Sequence, residues 1–163
     1  MLTSRRDYLV RLIEEVTQAL ARAVFKRKGG DEAAALQSVV QGCERLFNRE
    51  ADQLFQFTPD QHFLMLTEGE DPDSAAARVL LYAALNQEAG RIYAALGKKA
   101  LARGSYLNAL RFTLRAGASF PTEAPPQYAP AVPDLLAALQ GEPPDPDVRE
   151  LLQQSGPTPP PAS

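Results

Sequence analysis

An all-α fold of helical hairpins, ending in a proline-rich C-terminal extension, is what the sequence predicts, and three observations predict it. Apolar residues recur at three- and four-residue steps through most of the first 116 positions, and each run is bounded by a capping residue, a proline or a glycine. No stretch alternates apolar and polar residues between turn residues, as a half-buried strand does. Beyond Phe120 the composition changes: residues 121 to 163 hold twelve of the fourteen prolines.

The first helix opens at Ser4, three residues before Asp7, in a capping-box-like start. Its apolar face runs through Tyr8, Leu9, Leu12, Ile13, Val16, Leu20, Ala23 and Val24, and it stops at Gly29-Gly30. Lys26, Arg27 and Lys28 fall in its last turn, where cations complement the helix dipole. Asp31 caps a second helix carrying Leu36, Val39, Val40, Cys43, Leu46, Phe47 and Leu54, so the first two helices should form an antiparallel hairpin. Thr58-Pro59-Asp60-Gln61 combines a cap, a proline at the first helical position and a glutamine that reaches back, which predicts a short helix to about Thr67. Asp71-Pro72 repeats that signal before a long helix to Gly97, and another follows from about Lys98 to Arg115. In the extension, Pro133 to Gln140 and Pro146 to Gln153 each combine a first-turn proline with a leucine-rich face. The last segment, Gly156 to Ser163, reads as a flexible tail. The expected organisation is therefore a helical domain over residues 5–117 and a loosely attached extension over 118–163.

A chain of 163 residues with 45% hydrophobic and 23% charged residues can bury a core without disulfides or metals. A net charge of −3 and a pI near 5.2 argue against nucleic acid as a partner. Residues 1–28 nevertheless carry seven Lys/Arg against three Asp/Glu, net +4, which leaves −7 for the rest. The single cysteine, Cys43, can form no internal disulfide, and charges interrupt every hydrophobic run near the N-terminus. A cytoplasmic protein is expected.

Residues 83–116 resemble a single tetratricopeptide (TPR) repeat, a helix-turn-helix that packs small residues between its helices. Gly90 and Tyr93 take the small and aromatic positions of the first helix, Gly97 the turn, and Ala102, Tyr106 and Ala109 the matching positions of the second. Asn86, Ala89 and Leu114 depart from the usual aromatic, leucine and proline. One repeat cannot bury its own face, so the N-terminal helices must complete the core. The span 5–116, opening on Asp7-Tyr8-Leu9-Val10-Arg11-Leu12-Ile13 and carrying Phe25-Lys26, is also similar to an uncharacterised family of small bacterial helical proteins that end in such a hairpin. That resemblance implies a fold and no activity.

The chemistry-bearing residues are few. His62 is the one histidine, Cys43 sits on an apolar helix face without an activating partner, and neither fits a zinc spacing. Glu68, Glu70, Asp71 and Asp73 lack the pattern of a calcium loop, and Gly29-Gly30 lacks that of a phosphate loop. No catalytic, metal or cofactor site is expected. The predicted function is a non-catalytic protein–protein interaction or scaffold protein that binds an unknown protein or peptide, with Gln87 and Arg91 on the hairpin's groove face as partner-binding residues. A homodimer is expected through Tyr8, Leu9, Leu12, Ile13, Val16 and Leu20, because that apolar face is wider than one neighbouring helix covers. The alternative is a peripheral membrane-surface adaptor using the basic amphipathic helix 5–28, a reading disfavoured by its Glu14, Glu15 and lack of Trp.

Overall fold

Helix α1 (Leu2–Lys28) turns back at Gly30, whose φ of +84° is open to glycine at no steric cost, and α2 (Glu32–Phe47) starts on Asp31, whose carboxylate accepts from the Ala34 N–H at 3.2 Å. A computed structural model describes residues 2–140 and 145–155 of the chain, with side chains over 5–140 and 145–154. Among the described residues all regular structure is helical. After α2 come the short α3 (Ala51–Leu54), α4 (Pro59–Thr67), the long α5 (Pro72–Ala95), α6 (Lys99–Ser119), α7 (Val132–Leu139) and α8 (Pro146–Ser155). The expected flexible tail, Gly156 to Ser163, lies outside the described residues.

The local signals act as read. Thr58 and Gln61 close a reciprocal capping box on α4, with Thr58 N–H donating to Gln61 Oε1 at 2.8 Å and Gln61 N–H to Thr58 Oγ1 at 3.2 Å. Asp71 caps α5 by accepting from both the backbone N–H and the hydroxyl of Ser74, each at 2.9 Å. The first cap does not act as read: α1 is already helical at Leu2, so Ser4 stands inside it.

Pair contacts set the registers. Arg45 pairs with Glu15 and Lys26 Nζ donates to Ser38 Oγ at 3.0 Å, which makes α1 and α2 antiparallel. Phe47 meets Tyr82 edge-on at 4.9 Å and Gly42 lies against Leu85, which makes α2 antiparallel to α5. Tyr82 meets Phe112 at 4.9 Å and Gly90 abuts Tyr106, which makes α5 antiparallel to α6. The α5–α6 contact is the most extensive between any two helices. Leu12, Val16, Val79, Leu81, Leu85, Ile92 and Phe112 are fully buried in the main core between α1, α2, α5 and α6.

The lysine and arginine at the end of α1 do more than complement its dipole. Arg27 reaches α5 and donates to both carboxylate oxygens of Glu88, at 2.5 and 3.2 Å, and that carboxylate is only 1% exposed. A buried charge in this position is tolerable because a fork-shaped donor meets it with two hydrogen bonds.

The expected boundary at residue 117 is not a break in packing. Phe120 stacks on Phe63 at 6.2 Å, and the Tyr128 hydroxyl donates to the Ala77 carbonyl at 3.3 Å. The extension is also less loose than expected, because α7 and α8 dock on the outer face of α6. Leu135, Leu139 and Val148 are buried there with Leu107, Leu110 and Leu114 in a second core. Arg111 fastens α8, donating to Asp147 at 2.7 Å through Nε. Each buried leucine contributes roughly 1.5–3 kcal/mol by leaving water, enough in sum to hold two short helices that are marginal alone.

Candidate interaction groove

Helix α5 is long enough to be covered by α2 on one side and α6 on the other, yet α2 and α6 do not close over it. A groove of about 510 Å³ remains. Its floor is Tyr82, Leu85, Asn86, Ala89 and Tyr93 of α5. Leu36, Val39, Val40 and Cys43 of α2 form one wall. The other wall, on α6, carries Ala100, Leu101, Gly104, Ser105, Asn108 and Arg111. The segment from Ala51 to His62 closes one end. The size falls within the range of pockets that take a few side chains or one small molecule.

The closed end is rigid. His62 Nε2 lies 2.8 Å from the Leu54 carbonyl, which can only accept, so this nitrogen carries the proton. Nδ1 is then left to accept from the Tyr82 hydroxyl at 3.4 Å. The His62 ring packs against Phe47 at 5.4 Å and Tyr82 at 5.5 Å, so one imidazole ties α3, α4 and α5 together. Burial raises the Tyr82 hydroxyl pKa well above that of an ordinary tyrosine. Burial also pushes the Cys43 thiol up to about 12, with the Glu44 carboxylate adding to the effect. At neutral pH Cys43 is thus a protonated apolar wall residue, and both His62 nitrogens are engaged elsewhere. What the groove offers is apolar contact: Phe55 at its closed end is 80% exposed and Leu101 on the α6 lip 51% exposed.

Gln87 and Arg91 are not in this groove. They share α5 with its floor residues but stand at intervening positions, so the helix turns them to the other side. There they border a separate cleft of about 280 Å³ with Leu20, Val24, Gln127 and Tyr128, and the Arg91 guanidinium approaches Glu88 at 3.5 Å. The six expected self-association residues are also divided. Leu12 and Val16 have no accessible surface and belong to the chain's own core, where Ile13 and Leu20 pack against them. Leu9 is half-buried, and Tyr8 is 46% exposed with the Arg45 guanidinium 5.8 Å from its ring centre. The wide apolar face of α1 is therefore largely satisfied by α2 and α5.

Sequence reasoning missed Phe55, Leu101 and Gly104. Phe55 follows a four-residue helix too short to give a periodic signal, and Gly104 within a helix is ambiguous until its surroundings are known. In comparisons with protein families, curated proteins and solved structures, none matches this chain.

Proposed function

We propose that this is a non-catalytic interaction protein, cytoplasmic in keeping with its lone thiol, that holds apolar side chains of a protein partner in the groove between α2, α5 and α6. The observation that carries this reading is the groove itself, an apolar concavity flanked by Phe55 and Leu101. Single exposed hydrophobics are ordinary, but two of them at one concave apolar surface mark a recognition site. The likeness of α5–α6 to a tetratricopeptide hairpin supports it. A Cβ on Gly90 would lie 2.7 Å from the Tyr106 ring, and Gly97 turns the chain at a φ of +73°, the close approach and tight turn such a hairpin needs. The groove, rather than Gln87 and Arg91, is the face to test.

Gly104 is suited to that test because it is exposed on the groove wall and a Cβ added there meets nothing within 4 Å. Gly104→Phe should fill the groove without disturbing the fold, whereas Gln87→Ala with Arg91→Ala alters the opposite side. Proteins captured from native cells by the wild type should be lost with Gly104→Phe and retained with the double alanine variant. Retention with Gly104→Phe would refute the groove reading.

A second reading rests on Val10 and Phe25, which α1 keeps 50% and 80% exposed among the outward Arg11 and Arg22. Such a face could touch an anionic membrane surface as a peripheral adaptor. It is the weaker reading, since Leu12 and Val16 are turned inward, and flotation with vesicles containing phosphatidylserine separates it from the first. Among the described residues, no helix is long and apolar enough to cross a membrane.

A further inference from the structure

The groove carries at its two ends the two halves of one contact, and on the reading that it binds protein, we propose that its occupant is a second copy of this chain. Phe55 is the projecting half. Its backbone is held, because the short α3 that immediately precedes it is pinned at both ends: Ala51 N–H donates to the Glu44 carboxylate at 2.9 Å, and the Leu54 carbonyl accepts from His62. An aromatic side chain held exposed on a fixed turn loses little freedom on binding, which is what an interface anchor requires.

The receiving half lies at the open end. Ala100 and Gly104 stand one turn apart on α6 and line the groove together with Tyr93, and a Cβ added at Gly104 would meet nothing within 4 Å. Phe55 of the same chain belongs to the closed end and is held there. A partner's Phe55 meets no such restraint.

Charge gives the orientation. Exposed Glu50 and Asp52 flank the turn that bears Phe55, while Arg49 at that end is drawn onto the Phe57 ring at 5.5 Å. Exposed Lys98 and Lys99 directly precede the Ala100–Gly104 hollow. A two-fold axis across the groove brings each acidic end onto the partner's basic end as it seats each phenylalanine in the partner's hollow. The patch is complementary to itself in shape and in charge, a property a surface for an unrelated partner has no need of.

Sedimentation of the full chain over a range of concentrations tests this. The wild type should reach twice its 17.7 kDa mass. Phe55→Asp, at a side chain 80% exposed and so without consequence for folding, should sediment as a folded monomer, as should Gly104→Phe. Asp52→Lys should raise the dissociation constant about tenfold, because each dimer contains the contact twice, and adding Lys99→Glu should restore it. A wild type that stays monomeric at all concentrations overturns the proposal, as does a dimer indifferent to Phe55→Asp and Gly104→Phe. Failure of this inference is distinct from failure of the groove reading: a monomer whose captured partners are still lost with Gly104→Phe keeps the groove and loses only the second copy.

Discussion

Gly90 and Gly104 occupy the interiors of neighbouring helices, α5 and α6, yet a methyl group should have opposite effects at the two. At Gly90 an added Cβ would fall 2.7 Å from the Tyr106 ring, so Gly90→Ala forces the ring or a helix to move and should cost about 1–3 kcal/mol. At Gly104 it meets open space, so Gly104→Ala should stabilise by about 0.5–1 kcal/mol through the unfolded chain's lost freedom. Urea unfolding of the two variants checks the pair, and equal effects would mean that the α5–α6 contact is misplaced. The sequence made the first glycine legible through its spacing to Tyr93 and Gly97. Nothing in the sequence marked the second, because a missing side chain at a lip differs from one at a contact only in what surrounds it.

Pairs of helices show the same limit. The caps at Asp31, Thr58 and Asp71 were legible because their partners lie within three residues along the chain. The Arg27–Glu88 pair spans 61 residues, and no periodic signal marks Glu88 as the partner of Arg27. Glu88→Ala leaves Arg27, only a fifth exposed, without its main partner and should cost about 3 kcal/mol. Arg27→Met together with Glu88→Met should recover most of that loss, since an apolar pair needs no compensating charge. A double-mutant cycle by thermal melting reads the coupling, and additive losses would deny it. Helix α8 makes a different, pH-dependent contact. The Arg111 guanidinium holds the Asp147 carboxyl below the usual carboxylate range, so its contribution is present above about pH 4 and is lost as pH falls through the depressed value. Asp147 is more than half exposed, which keeps the effect small. Hydrogen exchange should show α8 amides loosening ahead of α5 as the pH falls below about pH 4, a difference that Arg111→Met should abolish.

At the scale of the whole molecule, the helical class and the order of the main helices followed from period and punctuation, whereas the arrangement of surfaces did not. The prolines after Phe120 suggested loose attachment, yet α7 and α8 dock on α6 through buried Leu135, Leu139 and Val148, with Val132, Leu151 and Leu152 packed around them. The wide apolar face of α1 suggested an exposed interface, yet Leu12 and Val16 are consumed by the core. The groove arises from what the helices leave uncovered, a property of three-dimensional spacing to which no single stretch of sequence corresponds. Its assignment as the surface where two copies meet is tested most directly by cross-linking. In a Cys43→Ala background, Asp52→Cys and Lys99→Cys place one thiol at each end of the groove while leaving Phe55 intact. Mild oxidation should yield a covalent dimer on a non-reducing gel, absent when Phe55→Asp is added. A product that remains monomeric, or a dimer formed equally well by Gln87→Cys on the opposite face, would contradict the account.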